Sequence, residues 1–227
     1  MSDETAVAET EETAVVVDEA RSALLEEISG ELGDAVVESY VKPGDDIWVR
    51  VAREAWAETA HVLREAMGFR FFNFLSAIDW MPSPFGRDMD SQVDLSLNPP
   101  EDTPEAQPME TGYAGGDTRF QAFMRVNDIT SARAITIKTD LPDDELSLPT
   151  IIPTYPGANW HEREAAEMFG IDFVGHPNKR KLYLPATFAG NPMRKDFPLL
   201  SRRIKPWPGI VDVEQMPGDD DEDGGDS

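Results

Sequence analysis

The chain has 227 residues, a formal net charge of −24 and no cysteine, which excludes disulfides, thiolate metal sites and cysteine-ligated iron–sulfur clusters held by this chain. No apolar run approaches the about 20 residues that span a bilayer. The first residues have neither the basic nor the apolar region of a secretory signal, so we expect a cytosolic chain.

Both ends of the chain are strongly acidic. Residues 1–20 contain seven acidic residues and no basic one, and residues 211–227 contain eight acidic residues and no basic one. Segments with high charge and few large apolar groups cannot bury enough surface to fold, so both ends are predicted to be disordered.

The first half of the chain alternates between helix and strand signals. A first helix is predicted to end at Gly33, because apolar residues recur before it at helical spacing. Residues 35–41 and 46–51 are typical of two strands joined by a Lys-Pro-Gly-Asp turn. Residues 52–67 then form the clearest amphipathic helix in the chain.

Further strand signals follow this helix. Residues 69–78 are apolar on both faces, which predicts a central strand covered on both sides. Residues 92–97 alternate cleanly between apolar and polar side chains. Residues 98–118 are rich in Pro, Glu and Gly, which predicts a long exposed loop. Residues 120–126 and 132–139 are typical of a further pair of strands.

The order of these elements favours an α+β fold: a two-layer domain with a mixed β-sheet and flanking helices, followed by a short helix and a long extended C-terminal tail. We therefore divide the chain into a disordered N-terminus (1–20), an α+β domain (21–150), a signature helix with an extended basic strap (151–210) and a disordered C-terminus (211–227).

The signature helix, near residue 160, is densely charged. Asn159 is a good candidate for its N-cap, and Glu162 three residues later completes a pattern close to a capping box. At about 100° per residue, Glu164 and Glu167 point within about 60° of each other, with Arg163 beside Glu167. Two carboxylates on one face could bind a metal or act as an acid–base pair.

Known catalytic motifs fit this helix poorly. His161-Glu162 begins like the zinc-protease motif, but Ala165 stands where the second histidine is needed. A di-iron site needs Glu before His, and here His161 precedes Glu164. A stand-alone carboxylate metalloenzyme using His161, Glu164 and Glu167 is one hypothesis. The other is structural, with Arg and Glu side chains forming buried ion pairs at a subunit junction.

The strap, residues 178–209, carries most of the clustered positive charge. Residues 176–210 contain eight basic residues and one acidic residue, a net +7 in a chain whose remainder is −31. Recurring prolines exclude a long helix or a central strand, although the segment is rich in leucine and aromatic residues. We therefore expect it to lie on its own domain or on an acidic partner. A nucleic-acid-binding module is a third hypothesis, disfavoured because the acidic remainder repels phosphate.

A pattern of several parts runs through the signature helix and the strap. Its parts are Glu162-Arg163-Glu164, Glu167-Met168-Phe169-Gly170, His176-Pro177, Arg180, Leu182-Tyr183 and the block from Gly190 to Leu199. In identity and spacing this pattern resembles the signature of the C subunit of the proton-translocating NADH:quinone oxidoreductase, the 30 kDa-subunit family of respiratory complex I. It covers about residues 155–200 closely, and so long a pattern is far more specific than a single short motif.

The resemblance implies a structural subunit of the peripheral arm with no catalytic residue, metal ligand or cofactor of its own. FMN and iron–sulfur clusters would lie in partner subunits, which pass electrons from NADH to quinone and couple this to proton translocation. The strap would run over the quinone-site subunits, D and B, on the cytoplasmic face of the cell membrane. Membrane association would come only through the complex, and no nucleic-acid partner is expected.

Ten residues of the pattern are the expected subunit-interface or strap-anchoring residues: Glu162, Arg163, Glu164, Glu167, Gly170, His176, Pro177, Arg180, Arg194 and Asp196. The equivalent subunit of membrane-bound [NiFe] hydrogenases carries a similar motif and is the alternative. The acidic loop 98–118 is longer than the family's usual link, and the acidic ends lie outside the resemblance.

Overall fold

The computed structural model describes residues 18–82 and 108–197, and these residues form three α-helices and seven strands. The helices are α1 (Glu19–Leu32), α2 (Trp56–Glu65) and α3 (Ala158–Phe169). The strands are β1 (Val36–Val41), β2 (Ile47–Val51), β3 (Phe71–Asp79), β4 (Phe120–Asp128), β5 (Arg133–Leu141), β6 (Ser147–Pro149) and β7 (Asp172–Val174).

Five strands form one mixed sheet in the order β1-β2-β5-β4-β3. The central pair β2–β5 is parallel, and the other three pairs are antiparallel. Strands β6 and β7 form a separate parallel pair. Together with the helices this confirms the predicted α+β class with a mixed sheet.

The core lies between one face of the sheet and the helices. Successive side chains of a strand point to opposite faces, so Ile47 and Val49 of β2 lie level with Ile135 and Ile137 of β5 on the same side. All four are almost completely buried, as is Trp56 of α2. Each such side chain contributes about 1.5–3 kcal/mol through removal from water.

Strand β3 is at an edge of the sheet, so the prediction of a central strand for residues 69–78 was wrong. Its second apolar face has a different explanation, because α3 and the turn before it lie against the strand. The ring of Phe72 is 5.5 Å from the ring of Tyr155 and 5.4 Å from that of His161. Covering an edge strand in this way protects its unpaired backbone groups.

The other face of the sheet carries a polar cluster beneath the chain around residue 114. Arg50 is almost fully buried, and its guanidinium donates to Glu38 (2.9 Å), Asp117 (2.7 Å) and the carbonyl oxygen of Ala114 (3.1 Å). Ala114 is itself buried. The prediction of an exposed loop for residues 98–118 therefore fails at Ala114, whereas the other residues from 108 to 118 are exposed or half-buried and form neither helix nor strand.

Several predictions fall outside the described residues: the strand 92–97, residues 98–107, residues 1–17 of the acidic N-terminus, the strap beyond residue 197 and the whole acidic C-terminus. Asp18 caps α1 and residues 19 and 20 lie in it, so the predicted disorder was wrong for these three residues. The division into domains stays a prediction. Strands β6 and β7 were not predicted, because three residues are too few to show an alternating pattern. None of the helices formed by residues 18–82 and 108–197 is long and apolar enough to cross a bilayer.

Candidate functional site

Helix α3 begins at Ala158, one residue before the predicted cap. Gly157 is the N-cap and provides no side-chain cap, so the assignment of Asn159 as N-cap was wrong. The chain enters the helix through a turn in which the amide of Ala158 donates to the carbonyl of Tyr155 (2.9 Å). Asn159 instead accepts a hydrogen bond at its carbonyl oxygen from Nε2 of His176 (3.1 Å).

Glu162 is buried inside the domain and forms no capping box. Its carboxylate accepts the amide of Ile151 (2.7 Å) and the hydroxyl of Thr150 (2.6 Å), which ties α3 to the segment after β6. Burial raises the pKa of Glu162 to about 7, even though these two hydrogen bonds act in the opposite direction. His176 lies nearby, with Nε2 4.0 Å from the carboxylate.

This raised pKa predicts a pH dependence of stability. In the unfolded chain the carboxyl group of Glu162 has its ordinary pKa of 4.5, so its contribution to stability is complete below that pH and is lost as pH rises through the folded-state pKa of about 7. We expect Glu162→Gln to gain about 2 kcal/mol of unfolding free energy relative to the wild type between pH 5 and pH 8. Urea denaturation at the two pH values measures this.

The matched control for that change is Glu164→Gln, the same carboxylate-to-amide substitution on the same helix. Glu164 is half-buried and accepts neither the amide of Ile151 nor the hydroxyl of Thr150, so the difference between the two variants isolates the effect of the buried carboxyl group. If Glu162→Gln shows no pH-dependent gain over Glu164→Gln, Glu162 does not hold a proton in the folded chain near neutral pH.

The outward side of α3 holds the beginning of the strap. Arg163 donates from Nε to the carbonyl of Arg180 (2.8 Å) and from Nη2 to the carbonyl of Lys181 (3.1 Å). One turn later, Glu167 accepts three successive backbone amides, those of residues 182–184, at 2.8, 3.0 and 2.5 Å. The proline-spaced strap has no strand partner for these backbone groups, so charged side chains of α3 satisfy them.

The signature helix forms no ion pair with the rest of the described chain, and ion pairs with another subunit stay a prediction. Within the described residues, Arg163, Glu164 and Glu167 form no salt bridge, and Arg163 and Glu167 bind backbone instead. Burial acts to raise the pKa of Glu167, but the three backbone amides outweigh it and hold the pKa below its usual range. Glu167 is thus an ionised acceptor in the fold.

The metalloenzyme hypothesis gains no support from this geometry. Both oxygens of Glu167 accept strap amides, and the ring of His161 packs edge-on against Phe72. Within residues 18–82 and 108–197, no three histidine, aspartate or glutamate side chains are placed to hold a metal ion together.

The strap also caps the C-terminal end of α3. Nδ2 of Asn191 donates to the carbonyl oxygen of Glu167 (2.9 Å). The backbone amide of Met193 donates to the carbonyl oxygen of Met168 (3.1 Å). Nε of Arg194 donates to the carbonyl oxygen of Phe169 (2.7 Å). The last carbonyls of a helix have no partner within the helix. The positive charge of Arg194 also lies at the negative end of the helix dipole.

Gly170 makes this close approach possible. Its φ is +80°, and a Cβ there would lie 2.6 Å from Nη2 of Arg194 and 2.8 Å from Oδ1 of Asn191. We expect Gly170→Ala to lose about 1–2 kcal/mol from backbone strain, with a smaller further loss from displacing the side-chain ends of Arg194 and Asn191. Thermal or urea unfolding of the isolated chain measures the sum.

Gly68→Ala is a closely matched control, because Gly68 also has a φ of +80° but has no atom within 4 Å of the added Cβ. The difference between the two variants isolates the contact with the strap. Equal losses in both variants would mean that the strap can move away from Gly170 without cost.

A second anchor ties the strap to the sheet. Asp79, buried at the end of β3, accepts Nε and Nη2 of Arg119 (2.8 and 2.7 Å) and the backbone amide of Lys195 (2.8 Å). Arg119 also pairs with Asp196 (3.1 Å). Burial acts to raise the pKa of Asp79, but these donors hold it below its usual range.

Sequence reasoning missed Asp79 and Arg119. A single aspartate ending an apolar strand was a signal for a buried charge, but nothing in the sequence indicates a partner 40 residues away. The structure brings most of the predicted site residues to the junction of α3 and the strap. It places seven of them at or beside that junction: Glu162, Arg163, Glu167, Gly170, His176, Arg194 and Asp196. Pro177 follows His176 in the chain and is exposed.

The two other predicted site residues are not held in the junction in this way. Glu164 is half-buried on α3, and the side chain of Arg180 is exposed and contacts Asn178 within the strap (3.0 Å). Whether any of the ten residues touches another subunit stays a prediction.

The family model described as "Respiratory-chain NADH dehydrogenase, 30 Kd subunit" matches residues 49–203, well over half of the chain. The chain belongs to this family. The resemblance drawn from the signature helix and strap is therefore confirmed, and the junction described above lies within the matched region of this 30 kDa-subunit family member.

The curated relatives are much longer than this 30 kDa-family chain. It is 33% identical over 177 residues to the C/D subunit of NADH-quinone oxidoreductase from Chromohalobacter salexigens, which covers 77% of this chain and 27% of the relative. It is 46% identical over 88 residues to the protein of the same name from Photorhabdus laumondii, which covers 39% of this chain and 15% of the relative. The chain thus spans about a quarter or less of these relatives.

Two solved structures are similar to the chain. A chain of the membrane-bound sulfane sulfur reductase, an archaeal respiratory membrane complex, is 20% identical with a TM-score of 0.53, covering 86% of this chain and 95% of that one. This shows a shared fold. A trypsin-resistant fragment (1–134) of Nqo5 is 22% identical with a TM-score of 0.47, covering 69% of this chain and 97% of the fragment.

Proposed function

We propose that the chain is a structural subunit of the peripheral arm of NADH:quinone oxidoreductase, respiratory complex I. Family membership supports a place in this oxidoreductase. The observation that carries the structural role is the junction of α3 and the strap, where the charged residues of the signature hold the chain's own backbone. Residues used in this way build a surface and do not act on a substrate.

In this proposal the chain binds no cofactor. FMN and the iron–sulfur clusters are held by partner subunits, which transfer electrons from NADH to quinone and couple this to proton translocation. The chain packs on the quinone-site subunits, D and B, through its strap. It associates with the membrane through the complex, on the cytoplasmic face.

The test is purification of the tagged full-length chain from its native membrane in mild detergent. We expect the D and B subunits to co-purify in equal amounts, together with NADH:quinone reductase activity and the absorbance of FMN and iron–sulfur clusters. Recovery of the chain alone, with stoichiometric metal or a turnover of its own, would contradict the proposal.

A second candidate is the equivalent subunit of a membrane-bound [NiFe] hydrogenase. The observation behind it is the fold shared with a chain of another membrane-bound respiratory complex, the sulfane sulfur reductase. The same purified complex separates the two candidates. Reduction of quinone by NADH supports the first, and oxidation of hydrogen without NADH oxidation supports the second.

A further inference from the structure

The turn formed by residues 175–178, which we call the histidine turn, is tied to α3 through one buried imidazole. Nδ1 of His176 accepts the backbone amide of Asn178 (2.9 Å), and Nε2 lies 3.1 Å from the carbonyl oxygen of Asn159. A ring nitrogen that accepts an N–H group carries no proton, and a ring nitrogen that faces a carbonyl oxygen donates one. His176 is therefore neutral in this arrangement, with its proton on Nε2.

The carboxyl group of Glu162 lies beside this imidazole and has no counter-ion there. Glu162 is 0% exposed, and its Oε2 is 4.0 Å from Nε2 of His176. A neutral imidazole offers the carboxyl group no positive charge. Burying a carboxylate without a cation is costly, so the arrangement favours a Glu162 that keeps its proton.

The charged groups around this pair are engaged elsewhere. On α3, Arg163 donates to the carbonyl oxygens of residues 180 and 181. Asp172 of β7 and Lys179 of the strap form an ion pair with each other. The segment after β6 contributes two neutral donors to Glu162, the hydroxyl of Thr150 and the amide of Ile151. None of these segments supplies a free cation to Glu162 within the described residues.

A cleft of about 200 Å³, open to solvent, reaches this pair from the outside. Glu162 and His176 line it together with the exposed residues Asp172 and Lys179. Since His176 forms part of its wall, a movement of the histidine turn away from α3 would widen the cleft and admit water to the carboxyl group. Among the described residues, the contact of His176 with Asn159 is the only hydrogen bond that joins residues 175–178 to α3, so this movement breaks little.

We propose that Glu162 is a proton-binding site that controls the histidine turn: the turn is closed on α3 while the proton is bound, and loss of the proton opens it. The ionised carboxylate needs more donors than Thr150 and Ile151 provide, and water in the widened cleft supplies them. The strap begins directly after the turn, so its first residues become sensitive to pH. The site belongs to this chain alone and does not depend on the proposed function.

The direction of the pH effect follows from the two states of the turn. Burial raises the pKa of Glu162 from 4.5 to about 7 in the closed state. In the open state the carboxyl group is hydrated and has its ordinary pKa of 4.5. The closed state therefore binds the proton more tightly, and rising pH favours opening. Between pH 6 and pH 8 the equilibrium constant for opening should rise about tenfold.

Hydrogen exchange of the full-length chain, followed by NMR and corrected for the intrinsic exchange rate, tests this. We expect the protection of the Asn178 amide to fall about tenfold between pH 6 and pH 8. The amide of Asp45 is the control, because it also closes a turn, by donating to the carbonyl of Lys42 (3.0 Å), and its protection should not change. Glu162→Gln cannot titrate and should abolish the pH dependence at Asn178.

Three results would overturn the proposal. One is a protection of Asn178 that does not vary with pH, or that varies equally in Glu162→Gln. Another is a parallel loss at Asn178 and Asp45, which means that the whole chain unfolds and the turn does not open by itself. If Glu162→Gln fails to fold, the ¹³C resonance of the Glu162 carboxyl group in the wild type decides: a midpoint near 7 supports the site, and one near 4.5 overturns it.

Discussion

Asp79→Ala is expected to lower the free energy of unfolding by about 3–5 kcal/mol, the cost of leaving one member of a buried ion pair without its partner. Asp79 is 3% exposed and accepts two hydrogen bonds from Arg119 and one from the amide of Lys195. Without the carboxylate, Asp196, whose side chain is half exposed, is the one ion-pair partner left to Arg119 among the described residues. Urea denaturation of the isolated chain measures the loss.

The same change should also release the end of the described strap, because the amide of Lys195 loses its acceptor. Hydrogen exchange at Lys195 reports this locally. Asp172→Ala is the matched control, since Asp172 forms an exposed pair with Lys179 and its loss should cost less than about 1 kcal/mol. If Asp79→Ala lowers the free energy of unfolding by no more than Asp172→Ala does, Asp79 does not anchor the strap.

Glu167→Gln is expected to lower the free energy of unfolding by roughly 3 kcal/mol and to free the start of the strap. The carboxylate accepts three backbone amides, those of residues 182–184. The side chain of glutamine has one oxygen that can accept a backbone amide. Its NH₂ group is a donor, so it cannot accept a hydrogen bond from the remaining backbone N–H groups. Hydrogen exchange of these three amides and limited proteolysis of the strap measure the release directly.

Glu164→Gln separates this effect from a general change in helix charge. Both carboxylates belong to α3 and one turn separates them, but Glu164 binds no strap amide among the described residues. Protection of residues 182–184 should therefore fall in Glu167→Gln and stay at the wild-type level in Glu164→Gln. Equal protection in both variants would contradict the role given to Glu167.

The two changes act at opposite ends of the same attachment. Glu167 holds the strap where it leaves the domain near residue 182, and Asp79 holds it near residue 195. Between them, Asn191, Met193 and Arg194 cap α3. We therefore expect the double variant to lose less than the sum of the two single losses, because either one already loosens the strap between the anchors.

Most elements of the domain could be predicted from local patterns. The alternation of Ile47, Val49 and Val51, and the helical spacing of Leu24 and Ile28, depend only on neighbours in the chain, and the corresponding strand and helix were found. The extended character of the strap followed from its prolines, and the described residues 178–197 contain no helix or strand.

The position of β3 could not be predicted in the same way. An apolar pattern on both faces reports that both faces are covered, and it does not say whether each edge of the strand pairs with another strand. Here β4 pairs with one edge of β3, and Phe72 of β3 contacts His161 of α3.

The sequence by itself determined the family, the fold class and the stretch in which the specific chemistry lies, because these depend on residue type and on spacing along the chain. Only the tertiary structure decided what the charges of that stretch do. Whether Glu167 binds a metal, an arginine or three backbone amides depends on which groups reach it from elsewhere in the chain. The partners that tie Asp79 to the rest of the fold, Arg119 and Lys195, are 40 and 116 residues away, and that distance in sequence leaves no local pattern.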